Sequence, residues 1–99
     1  MQPVEFLQAW YQAHSNGHWE QSHGITIESL DSPGWLVTID LEGTPLENHE
    51  MATVERSVSN RDWMVCEVTR KRFRGQGDPE KLGSIVQVFQ AWAETAPPA

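Results

Sequence analysis

His14, His18, Glu20 and His23 carry the imidazole and carboxylate groups that ligate zinc, so this polar stretch is the first place in the 99-residue chain to look for chemistry. Their spacing argues against a site. Structural zinc centres draw on regular short ligand pairs, often with thiolates, whereas these four straddle a helix end and a loop, and the next histidine, His49, is distant. A solvated polar loop is the expectation, with no metal and no cofactor. The alternative reading is a small metal-dependent or enzymatic protein that uses this loop. Cys66 and Arg72 have the Cys-x5-Arg spacing of phosphatases. That chemistry requires converging backbone N–H groups and a depressed thiol pKa. The intervening Glu67-Val-Thr-Arg-Lys71 reads instead as a strand, so Cys66 is expected to pack in the core. Gly75-Gln-Gly77 leads toward a helix, but the third glycine of a phosphate cradle is replaced by Glu80, and Asp78 occupies the anion position. A capped turn fits better. No catalytic residue emerges.

The elements that position these residues follow from period and punctuation. Phe6, Leu7, Trp10, Tyr11 and His14 share one face of a helix that Pro3 can open and Ser15-Asn16-Gly17 ends. Ile25 and Ile27 alternate with Thr26 and Glu28 in a strand, and Asp31-Ser-Pro-Gly34 is a turn. Trp35, Val37, Ile39 and Leu41 then alternate with Leu36, Thr38 and Asp40. Glu42-Gly-Thr-Pro45 breaks this second strand, and 46–50 is a polar connection. A third strand spans about 51–58, and Ser59-Asn-Arg-Asp62 is a turn. Met64, Cys66 and Val68 alternate with Trp63, Val65 and Glu67 in a fourth strand, and Phe73 falls in a short fifth. Asp78 is a natural N-cap with Pro79 at the first helical position, and Leu82, Ile85, Val86, Phe89, Trp92 and Ala93 line one face of a closing helix. Without crossover helices between strands, an antiparallel rather than a parallel sheet is expected. The expected fold is a two-layer α+β domain over 1–95, with a frayed tail at 96–99. An N-terminal helix, an antiparallel sheet of four or five strands and a C-terminal helix follow in order, both helices on one sheet face.

Charge and composition narrow the function classes. Fourteen acidic residues against seven basic ones give a net charge of −7, which opposes phosphate backbones and suits a basic protein partner. Five tryptophans compensate for a modest 38% hydrophobic content. One cysteine precludes an internal disulfide and fits a reducing cytoplasm. No run approaches the roughly 20 apolar residues of a membrane span. The expectation is a cytoplasmic protein, a monomer or weak dimer, with no nucleic-acid or membrane partner.

Several motifs, in order, resemble the immunity protein 53 family of bacterial polymorphic toxin systems. They are Leu7-x-x-Trp10-Tyr11, Trp19-Glu20, Gly24-Ile-x-Ile27, Leu30-Asp-x-Pro-Gly-Trp35, Glu55-Arg56-Ser57, Asp62-Trp63, Cys66, Phe73-x-Gly75-x-Gly77 and Phe89-x-x-Trp92. His18 and His23 depart from the family pattern, so the resemblance lends no support to a metal role. It implies an antitoxin-like protein that binds and neutralises a cognate toxin domain by protein–protein contact.

Strand parity suggests where. If the large apolar residues face the helices, Glu28, Asp40, Glu55 and Glu67 gather on the opposite face around Trp63. The expected partner-binding set is those five residues with Trp19 and Glu20 from the adjoining loop. Trp19 and Glu20 also have an architectural reading, the ring plugging the end of the helix–sheet interface and the carboxylate accepting loop N–H bonds.

Overall fold

Pro3 opens helix α1 (Pro3–His14), where its missing N–H removes no hydrogen bond, and Glu5 in the first turn complements the helix dipole. A computed structural model describes residues 1–96 of the chain. Gly17 follows α1 at φ +95°, a conformation that favours glycine. The polar loop then contains one helical turn not anticipated from the sequence, α2 (Trp19–Ser22). Asn16 explains it: its Oδ1 accepts the N–H groups of His18 and Trp19 at 2.9 and 3.0 Å, while the Glu20 carboxylate reaches back to the N–H of Gly17.

Strands β1 (Ile25–Leu30) and β2 (Gly34–Asp40) form the expected hairpin around Asp31, Ser32 and Pro33, with a cis Ser32–Pro33 peptide. After a connection over 41–53 come β3 (Val54–Ser59), β4 (Asp62–Thr69) and β5 (Arg72–Gly77), then helix α3 (Leu82–Ala93). All pairings are antiparallel, and the order is β1-β2-β5-β4-β3. The short fifth strand is thus the centre of the sheet, hydrogen-bonded to β2 on one side and β4 on the other. Arg70 and Lys71, at φ 53° and 61°, make the tight turn that returns the chain from β4 into β5.

Helices α1 and α3 pack against each other over one sheet face. From that face Val37, Ile39, Met64, Cys66 and Phe73 meet Leu7 and Trp10 of α1 and Ile85, Val86, Phe89 and Trp92 of α3 in one apolar cluster. Trp10 and Trp92 are buried as their stripes require, whereas Trp35 is only partly buried and gives its indole N–H to the Pro79 carbonyl.

Two local expectations need correction. The 46–50 connection is not simply polar, because Leu46 is 2% exposed and Leu41 and Thr44 are buried beside it. One apolar anchor pins the segment under the helices. Asp78 is not the N-cap of α3, whose cap position is Lys81. Asp78 instead ends β5: its N–H donates to the Trp63 carbonyl, and its carboxylate accepts the N–H groups of Trp63 and Glu80. Those bonds to β4 hold the chain in a turn before the helix can start. Of the expected tail, Ala96 packs against the core, and 97–99 lie outside the described residues.

Candidate functional site

The sheet face turned away from the helices is the candidate site, and register fixes what it carries. Residues directly opposite one another point to the same side. One row therefore runs Glu28, Leu36, Gln76, Val65, Glu55 across all five strands, roughly 19 Å from edge to edge. Beside it run Thr26, Thr38, Arg74 and Glu67, and beyond them Asp40 and Arg72. On the other side of the long row Trp63 stands opposite Ser57.

Parity thus brings Glu28, Asp40, Glu55, Trp63 and Glu67 onto one surface. It also places there Arg72, weighed from the sequence only for its spacing from Cys66, and Arg74, which sequence reading passed over. The signal was available: once Phe73 is taken as core-facing, its neighbours on the strand must face outward. The arginines change the electrostatics of the face. Arg72 Nε lies 2.9 Å from Asp40 Oδ1, and Arg74 is in register with Glu67. One end of the face therefore carries both signs of charge, although among the described residues only Asp40 and Arg72 form an ion pair on it, while Glu28 and Glu55 on the two edge strands are exposed carboxylates with neither an ion pair nor a cation in register.

Trp63 differs from the other tryptophans. Trp19, Trp35 and Trp92 each donate an indole N–H to a backbone carbonyl, of Glu42, Pro79 and Glu50 respectively. Trp10 is packed edge-on against Trp19 and Phe89. Among the described residues the partly buried Trp63 ring does neither, while its backbone is fixed from below by Asp78. That carboxylate is fully buried and sits 2.9 Å from Lys81 Nζ, which also contacts Asp62 at 2.9 Å. Asp62 in turn takes both Nε and Nη2 of Arg56 at 2.7 Å.

This network sets a pH dependence. The Lys81 hydrogen bond holds the Asp78 carboxyl below its ordinary value, and bonds from Arg56 and then Lys81 do the same for Asp62. A depressed carboxyl stabilises the fold above its unfolded pKa of roughly 4, and this contribution is lost as pH falls through the folded value. Lys81→Met should therefore move acid unfolding to higher pH, since Asp78 would lie buried without its cation. Circular dichroism during acid titration measures this. An unchanged midpoint would show that Lys81 does not hold the carboxylates.

The loop residues are placed differently from the face. Trp19 is 7% exposed, wedged against Trp10, Tyr11 and His14 with His23 stacked on it, and Glu20 is tied to Gly17. Both follow the architectural reading, and a buried Trp19 ring is a poor partner contact. His14 Nδ1 bonds the Trp10 carbonyl, His18 is exposed and His23 Nδ1 meets Ser22 Oγ. Among the described residues, no three His, Cys, Asp or Glu side chains form a group that could hold a metal ion. Cys66 is fully buried opposite Gly75, and burial pushes its thiol up to about 12. Such a thiol is a poor nucleophile.

A family model described as Immunity protein 53 matches residues 4–94. The chain belongs to that family. The match spans α1 through α3, so the sheet face, its edge strands and the Asp78 network all lie inside the Immunity protein 53 region. No curated protein and no solved structure matches the chain. Among the described residues of this Immunity protein 53 member, no helix is long and apolar enough to cross a membrane.

Proposed function

We propose that this immunity protein neutralises a cognate bacterial polymorphic toxin in the cytoplasm by direct binding, without catalysis, and that it binds through the outer face of its sheet. The observation that carries this reading is an uncovered sheet face with Glu28, Glu55 and the untethered Trp63 on it, on a chain of net charge −7. The partner is a basic protein surface. Carboxylates at both edges of the face steer it in, and an aromatic anchor beside the β3 edge supplies binding energy. Asp40 and Glu67 contribute less to this field than their number suggests, because Arg72 and Arg74 stand beside them.

The test is protection of cells expressing the cognate toxin, with circular dichroism confirming each fold. Trp63→Ala should weaken binding by about 2 kcal/mol or more. Glu28→Lys with Glu55→Lys should slow association, most at low salt, since charge steering is screened over about 10 Å at 0.1 M. These edge positions are better probes than Glu67, where a new lysine would repel Arg74 and perturb the sheet itself. Full protection by both folded variants would exclude the outer face.

A further inference from the structure

Resting on that reading, we propose that the concavity beside Trp63 is a subsite for one arginine side chain of the bound protein. It measures about 510 Å³, with Trp63 and Val65 on its floor, Glu55 and Ser57 along the β3 side, and Ser32 and Pro33 on the facing lip. The pairing of β3 with β4 is irregular between Ser57 and Ser59, at the rim of this hollow. Such a bulge bends and twists an edge strand locally. The β1–β2 turn supplies the other wall, so the hollow belongs to the fold and not to one loop.

Its chemistry selects the occupant. Glu55 is diagonal to Trp63 on the same face, a separation of roughly 7–8 Å that long side chains bridge. An aromatic ring with no stacking partner and an exposed carboxylate without a counter-ion, both among the described residues, together fit a planar cation. A guanidinium stacks on the indole while its N–H groups fork onto the carboxylate. Lysine offers a compact, strongly hydrated charge that cannot make both contacts as well. An acidic side chain would meet Glu55 as a like charge, and an apolar one would strip water from that carboxylate without replacing its hydrogen bonds. Arg56 also lines the hollow, but its guanidinium is already engaged, because Asp62 holds both its Nε and Nη2 at 2.7 Å.

The probe is N-acetyl-arginine methylamide, titrated into ¹⁵N-labelled protein while the Trp63 indole N–H and the Glu55 and Ser57 amides are followed by NMR. The lysine counterpart and the uncharged citrulline counterpart serve as comparisons. Saturable shifts at those three groups with arginine, absent with citrulline and weaker with lysine, are expected. Glu55→Gln, a conservative change at an exposed edge position, should weaken arginine binding roughly tenfold. No saturable shift at Trp63, or equal binding of lysine or citrulline, overturns the subsite while the protection assay continues to judge the outer face separately. Saturable binding combined with undiminished protection by Glu55→Gln overturns the assignment of the hollow to a partner side chain.

Discussion

Phe89→Ala should lower the unfolding free energy by about 3–5 kcal/mol, a large share of the roughly 5–15 kcal/mol that holds a small domain together. Phe89 is fully buried, and its ring is where the layers meet. It stands edge-on to Trp10 of α1 at 5.3 Å and to Phe73 of β5 at 5.2 Å, with Phe6 and Trp92 at 6.1 Å. Truncation would leave a cavity walled by rigid rings, which collapse poorly onto empty space. The helix stripe itself would survive, since alanine is a good helix former. Urea unfolding followed by circular dichroism should show a lower midpoint with an unchanged slope. A loss below about 1 kcal/mol would mean that α1 and α3 close the gap by moving together.

Both helix stripes and strands β1, β2 and β4 were legible because each repeats its apolar residues at the period of its own element, whereas β3, exposed along its whole length, was expected at about 51–58 and starts only at Val54. The identity of the central strand was not legible. Apart from Phe73, the residues Arg72 to Gly77 are polar or glycine, which reads as a weak strand at best. Positions 75 and 77 face the helix layer, where apolar side chains ordinarily advertise a strand, but a Cβ at either would collide with Ile85 or Lys81. The closeness of α3 to the sheet erased the pattern that would have announced the strand beneath it. The same gap hid the arginines of the candidate face. With the fifth strand reduced to Phe73, Arg72 and Arg74 were given no side, and the outer surface read as more acidic than it is. Asp78 was misread for a related reason: Asp-Pro before an apolar stripe is a helix-start signal, and only the β4–β5 pairing shows its carboxylate bound to Trp63. By contrast Glu28, Asp40, Glu55, Trp63 and Glu67 were placed correctly by alternation alone, which depends only on knowing which neighbours are buried.

Gly75→Val should destabilise the protein severely, and Gly75→Ala by about 1–3 kcal/mol, with the sign set by a single neighbour. At an ordinary strand position, replacing glycine by alanine gains about 0.4–1 kcal/mol by restricting the unfolded chain, and Gly75 has no left-handed φ to forbid the change. Here the added Cβ would run into the Ile85 Cγ2 methyl, while Cys66 Sγ and Phe73 Cε1, each at 3.4 Å, would only come into contact with it. Ile85 is fully buried on α3, so it cannot swing aside without lifting the helix from β5. Ile85→Leu removes that methyl at nearly constant volume and should cost less than about 1.5 kcal/mol alone. The double variant Gly75→Ala, Ile85→Leu should then be more stable than the sum of the two single losses by at least about 0.5 kcal/mol, the smallest coupling a contact of this kind gives. Denaturant unfolding of the four proteins in the cycle measures it. Strict additivity would show that the steric block at Gly75 comes from the sheet itself and not from Ile85. In that case the bare glycines of β5 would no longer be explained by the close seat of α3 on the centre of the sheet.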